Sequence, residues 1–124
     1  MKGTPEDVLK AIPDFDAFLA LSDEIAELVY KKLRLEAKLR EGESNVFRVA
    51  NTDQAYFQNG KPASATFIDN AYKFSGLNGE LLSMREELSS VISALEGNKN
   101  KMEIYKTMIE VWRTMCSNQR SAVS

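Results

Sequence analysis

Residues 81–119 read LLSMREELSSVISALEGNKNKMEIYKTMIEVWRTMCSNQ, and their spacing decides the fold. Leu81, Met84, Leu88, Val91, Leu95, Asn98, Met102, Tyr105, Ile109, Trp112, Cys116 and Gln119 recur at alternating steps of three and four. That period gathers side chains on one face of an α-helix. A second run keeps the same phase: Phe18, Leu21, Ile25, Leu28, Lys32, Leu35, Leu39, Gly42, Val46, Val49, Asp53 and Tyr56. Each run holds its register across a glycine, Gly97 in one and Gly42 in the other. A loop has no reason to preserve phase, so both helices are expected to continue through. Two such helices fill most of the chain and have no third layer to bury against unless other copies supply it. The expected fold is all-α: an elongated, coiled-coil-like hairpin of two long helices that self-associates.

The remaining elements follow from capping and breaking residues. Thr4-Pro5-Glu6-Asp7 supplies a capping hydroxyl, a first-turn proline and acids at the positive dipole end, opening a short helix over 4–11. Pro13 interrupts it, because proline lacks a backbone donor and disfavours helix in the residue before it. A long helix over 14–58 follows, on the order of 65 Å at 1.5 Å per residue. Asn59-Gly60-Lys61-Pro62 stops it. A connector over 59–76 holds one short helix that Ser64 or Thr66 caps, carrying Phe67, Ile68, Ala71, Tyr72 and Phe74. A second long helix over 77–120 ends in a frayed Ser121–Ser124 tail. The 124 residues thus read as a single helical domain.

Composition narrows the function. Histidine is absent, which removes the commonest general base, the usual zinc ligand and the ExxH motif of di-iron bundles. No carboxylates cluster at metal spacing, and no nucleophile has an identifiable base. The chain is therefore expected to be non-catalytic, without cofactor or metal. Its longest purely apolar run, Ala17–Leu21, is far short of the about 20 residues that span a bilayer. Residues Met1 to Asp7 lack the apolar core of a signal peptide, and Cys116 is the sole cysteine. Both suit a cytoplasmic location.

The net charge of −2 is unevenly spread. Residues 31–73 carry eight basic and five acidic groups, whereas 1–30 carry two and seven. Lys31, Arg34 and Lys38 share one helical stripe, which Arg48 extends. Lysine and arginine in such a row neutralise phosphates without reading bases. The same row also suits a solvated face with Glu36, Glu41 and Glu43 as partners. Tyr56, Phe57, Phe67, Tyr72 and Phe74 gather around the turn beside Lys61 and Lys73. Aromatics among lysines stack unpaired bases, with Tyr56 and Phe57 the candidates. They equally suit a hydrophobic plug closing the hairpin. Met102, Tyr105, Ile109 and Trp112 mark an oligomer or partner seam on the last helix, or ordinary core against the first. Lys32, Gly42, Asp53 and Asn98 sit at seam positions that are normally apolar, where polar residues fix register.

Several segments, in order, resemble the UvsY-like recombination mediators of tailed phages. They are Lys32 to Lys38 within a long helix, Ala55-Tyr56-Phe57-Gln58-Asn59-Gly60-Lys61 at its end, the Tyr72-Lys73 pair, and a last helix running from Glu103-Ile104-Tyr105 to Asn118-Gln119-Arg120-Ser121. The likeness covers roughly residues 25–121 and is one of pattern and order. The family's basic pair before the tyrosine end is replaced here by Asn51-Thr52-Asp53-Gln54, leaving Arg48 and Lys61 as the nearest cations. The resemblance implies a ring-like homo-oligomer that binds single-stranded DNA without reading its sequence. It also implies help in loading a RecA-like recombinase onto strands coated with single-strand binding protein, in the cytoplasm of an infected bacterium. The alternatives are an oligomeric helical phage scaffold or adaptor without DNA binding, and a regulator docking a partner through its Met/Trp stripe.

Overall fold

The computed structural model describes residues 4–123. It is 81% helical, and no strand occurs among the described residues. Four α-helices follow in order: α1 (Pro5–Lys10), α2 (Phe15–Thr52), α3 (Ala65–Tyr72) and α4 (Leu82–Val123), with a single 3-10 turn at Gln54–Tyr56. The chain divides into two compact units. One combines residues up to Glu27 with those from Ala94 onward; the other is Leu28–Ser93.

In the first unit, the Thr4 hydroxyl accepts from the Asp7 N–H at 3.1 Å and caps α1 as its sequence predicts. Pro13 is buried at the break, and the Asp14 carboxylate accepts from the Ala17 N–H at 2.9 Å to open α2. Two edge-to-face ring pairs tie α2 to α4: Phe15 with Trp112 at 5.8 Å and Phe18 with Tyr105 at 6.1 Å. Their numbering runs in opposite directions, so these two segments are antiparallel. Each such pair adds about 0.5–1.5 kcal/mol beyond the area it buries. Leu21, Leu95 and Met115 are buried here. So is Asn98, 7% exposed, whose Nδ2 has no hydrogen-bond acceptor. Its burial shows that this polar seam position does not splay to water.

The second unit has two adjoining apolar clusters. Leu39, Val46 and Leu81 form one, and Ala50, Ala63 and Ile68 the other. Tyr72 and Leu77 pack against both. Ser64 caps α3 through the Phe67 N–H at 3.1 Å. The far end of α3 is held by Arg85, whose guanidinium donates to the carbonyls of Lys73 and Phe74 and lies over the Phe74 ring. Glu43 in turn lies 3.5 Å from Arg85.

Four expected boundaries move. First, α2 ends at Thr52 rather than residue 58, so Asp53 and Tyr56 leave the helical face. Asp53 adopts extended backbone and its carboxylate accepts from the Ala55 N–H, a local bond that competes with helix. The stop itself is a tight turn: Asn59 and Gly60 both take positive φ, 52° and 75°, and Gln58 and Lys61 exchange backbone bonds. Second, α4 begins at Leu82, not residue 77. Gly76 and Gly79 take positive φ, and the Glu80 carboxylate accepts from the N–H groups of Leu77 and Asn78. Backbone N–H groups, that of Asn78 first, then Glu80's own and that of Leu77, lower the Glu80 pKa from its ordinary value against slight desolvation. Third, the tail expected to fray at Ser121 stays helical to Val123, with Arg120 in the last turn favoured by the helix dipole; Ser124 lies outside the described residues. The short first helix also closes at Lys10 rather than residue 11.

Both glycines in question lie inside continuous helices. They are not equivalent. A Cβ on Gly42 would sit 2.7 Å from Cδ2 of Leu81, a side chain only 2% exposed, whereas a Cβ on Gly97 meets nothing within 4 Å. Gly97→Ala is therefore expected to stabilise by about 1 kcal/mol, the helix-propensity difference. Gly42→Ala is expected to lose that gain to overpacking, which costs about 1–3 kcal/mol. Thermal melts of the two variants followed by circular dichroism should shift in opposite directions.

Candidate nucleic-acid interface

The six cations singled out by sequence all fall in the Leu28–Ser93 unit, and all are exposed. Helical spacing fixes their arrangement. Lys31, Arg34, Lys38, Glu41, Asn45 and Arg48 follow at steps of 3, 4, 3, 4 and 3, so they form one stripe along α2. From Lys31 to Arg48 it spans about 26 Å at 1.5 Å per residue. Among the described residues, Lys31, Arg34 and Lys38 have no acid within 4 Å of their charged ends. Glu41 is the one acid in the row. Arg48 donates through Nη2 to the Asn45 side-chain oxygen at 2.6 Å, a neutral partner that aims the guanidinium without cancelling its charge. Lys38, Glu41, Gly42, Ser44, Asn45, Arg48 and Met84 line a shallow open groove. The missing side chain of Gly42 admits Leu81 beneath this groove.

Lys61 and Lys73 belong to other elements. Lys61 closes the Asn59-Gly60 turn, with its backbone bonded to Gln58 and its side chain in solvent. Lys73 lies 3.9 Å from Glu43, a contact between groups that keep water around them and one worth little. The structure places four cations on the stripe and sets these two apart from it.

The two stacking candidates are half-buried. Tyr56 packs against the Ala50–Ala63–Ile68 cluster and meets Tyr72 edge-to-face at 5.7 Å. Phe67 meets the same Tyr72 ring at 6.4 Å. Tyr56, Tyr72 and Phe67 thus pack on one another, while Phe74 is exposed under the Arg85 guanidinium. Phe57 follows in extended backbone. Tyr30 escaped the sequence reading. It is 66% exposed, lies one turn before Arg34, and has no ring or hydrogen-bond partner among the described residues. Its signal was its position off the heptad face, directly beside Lys31.

In the other unit, Met102, Tyr105, Ile109 and Trp112 are all half-buried, and Tyr105 and Trp112 pack on Phe18 and Phe15 of the same chain. The apolar row left open on α4 is Ile104, Met108 and Val111, at 61%, 45% and 46% exposure. Lys106 and Arg113 pair locally with Glu103 and Glu110 at 3.2 and 3.6 Å, whereas Lys99, Lys101 and Arg120 on the same helix form no ion pair among the described residues. Among the described residues no three Cys, Asp or Glu converge to hold a metal ion, and no helix is long and apolar enough to cross a membrane. Comparisons with protein-family models, curated proteins and solved structures give no match to this chain.

Proposed function

We propose that this helical protein binds single-stranded DNA without catalysis and acts as a recombination mediator, helping a RecA-like recombinase load onto strands coated with single-strand binding protein. One observation carries the DNA-binding step: Lys31, Arg34 and Lys38 stand exposed and unpaired in a single stripe that Arg48 extends. Such a row holds phosphates at intervals and reads no bases. The loading step rests on the resemblance to UvsY-like mediators, and so does assembly into a ring. Several weak stripes on one assembly would bind a strand far more tightly than one copy.

Fluorescence anisotropy of a labelled poly-dT strand tests the first step. Binding is expected at low salt, with log affinity falling against log salt at a slope of about −2 to −3 for three to four phosphate contacts. No binding at low salt overturns the proposal. It would leave the second reading, an oligomeric helical scaffold or adaptor, which the exposed Ile104, Met108 and Val111 row favours.

A further inference from the structure

We infer that Tyr30 is a base-stacking platform of the DNA-binding stripe, with Leu33 as an apolar contact beside it; this rests on the single-stranded DNA reading above. Stacking needs an aromatic face open to solvent and close to where the phosphates are held. Tyr56 does not meet that need, because its ring is taken up by Tyr72 and the cluster under α3. Tyr30 meets it. At 66% exposure its ring faces solvent, and neither a hydrogen bond nor a ring contact holds it among the described residues. Its place on α2 is fixed by helix geometry. Tyr30 and Arg34 are four apart and therefore neighbours along one edge, and Leu33, 59% exposed, lies three residues on. The ring adjoins Arg34 at one edge of the Lys31–Arg34–Lys38 row, and Leu33 lies further round the helix beyond the ring. A strand whose phosphates follow that row has bases free to turn toward the ring. Stacking there is tolerant of sequence, because every base has a π-face. The stripe then discriminates by strandedness: in a duplex the bases are already stacked on each other and Tyr30 has nothing to receive.

Three proteins on two probes test this. The unaltered chain, Tyr30→Ala and Tyr30→Phe are titrated against labelled poly-dT and against a duplex of equal length. Tyr30→Ala is expected to bind poly-dT about tenfold more weakly, with an unchanged salt slope, because an aromatic face and no charge is lost. Tyr30→Phe is expected to bind within about twofold of the unaltered chain, since it keeps the face. Duplex affinity is expected to be the same for all three. Wild-type-like binding of poly-dT by Tyr30→Ala overturns the platform while leaving the phosphate stripe in place. A Tyr30→Ala loss accompanied by a change in oligomeric state on gel filtration also overturns it, assigning the ring to contact between copies. If the unaltered chain binds no poly-dT at low salt, the functional reading itself fails and the platform with it.

Discussion

Reversing Arg34, Lys38 and Arg48 together to glutamate should weaken poly-dT binding at least about 100-fold at 0.1 M salt. Each phosphate contact on a single strand releases about 0.7 of a counterion, so three contacts are worth about two powers of ten at that concentration. The salt slope should fall by about 2 at the same time. Slope and affinity must move together, because both count the same released ions. The three side chains are exposed and none forms an ion pair among the described residues, so reversal removes no contact described there beyond the Arg48–Asn45 bond. Exposed substitutions of this kind change stability by no more than about 0.5 kcal/mol each. Circular dichroism melts should therefore stay close to those of the unaltered chain, separating lost binding from lost fold. The α4 cations provide the counter-test. Lys106 and Arg113 sit against Glu103 and Glu110, and reversing them should change affinity far less. Equal losses from both sets would mean that poly-dT responds to net charge alone and that the α2 stripe is no track.

The stripe was legible in the sequence because charge spacing on a helix needs no tertiary information. Lys31, Arg34 and Lys38 share an edge of any helix that contains them. The helices run on through Gly42 and Gly97 for a related reason: heptad register is a property of the helix and survives a residue of poor propensity. The sequence did not reveal why Gly42 is a glycine, since Leu81 approaches it from 39 residues away. Two of the boundary shifts, the end of α2 and the start of α4, share one cause. At Asp53 and at Glu80 a carboxylate bonds nearby backbone N–H groups, and such short-range bonds outcompete one more helical turn without disturbing the apolar pattern. Tyr56 shows the limit on the functional side. An aromatic beside lysines reads the same whether it faces a base or a core. Only the Tyr72 ring and the cluster beneath α3 decide that it faces the core. Tyr30, set off the seam, is one of several aromatics left exposed among the described residues, Phe74 being another.

Truncating Ile68 should destabilise the Leu28–Ser93 unit by about 2–5 kcal/mol, the range for Ile→Ala at a buried site. Ile68 is 1% exposed and joins Ala50 on α2 to Ala63 ahead of α3. Both neighbours are alanines, so neither has spare volume to fill the space that Ile68→Ala would leave. Tyr56, Tyr72 and Leu77 line the rest, and the two tyrosines are already engaged edge-to-face. Such a site collapses poorly, which places the expected cost in the upper half of that range. A loss of that size is a large share of the 5–15 kcal/mol that typically separates folded from unfolded chains. It should appear as a lower urea midpoint for the amides of residues 63–81. Phe67→Ala, one position earlier and 38% exposed, removes more atoms but from a half-solvated ring, and should cost less than Ile68→Ala. The order of the two variants is the discriminating result. A larger loss at Phe67 would mean that α3 is held by the Phe67–Tyr72 ring pair and the Arg85 clamp rather than by its buried face. The clamp contributes through exposed groups, Lys73 and Phe74 among them, where water competes for each bond. Packing of Ile68 against Ala50 and Ala63 meets no such competition, and so the buried face is expected to dominate.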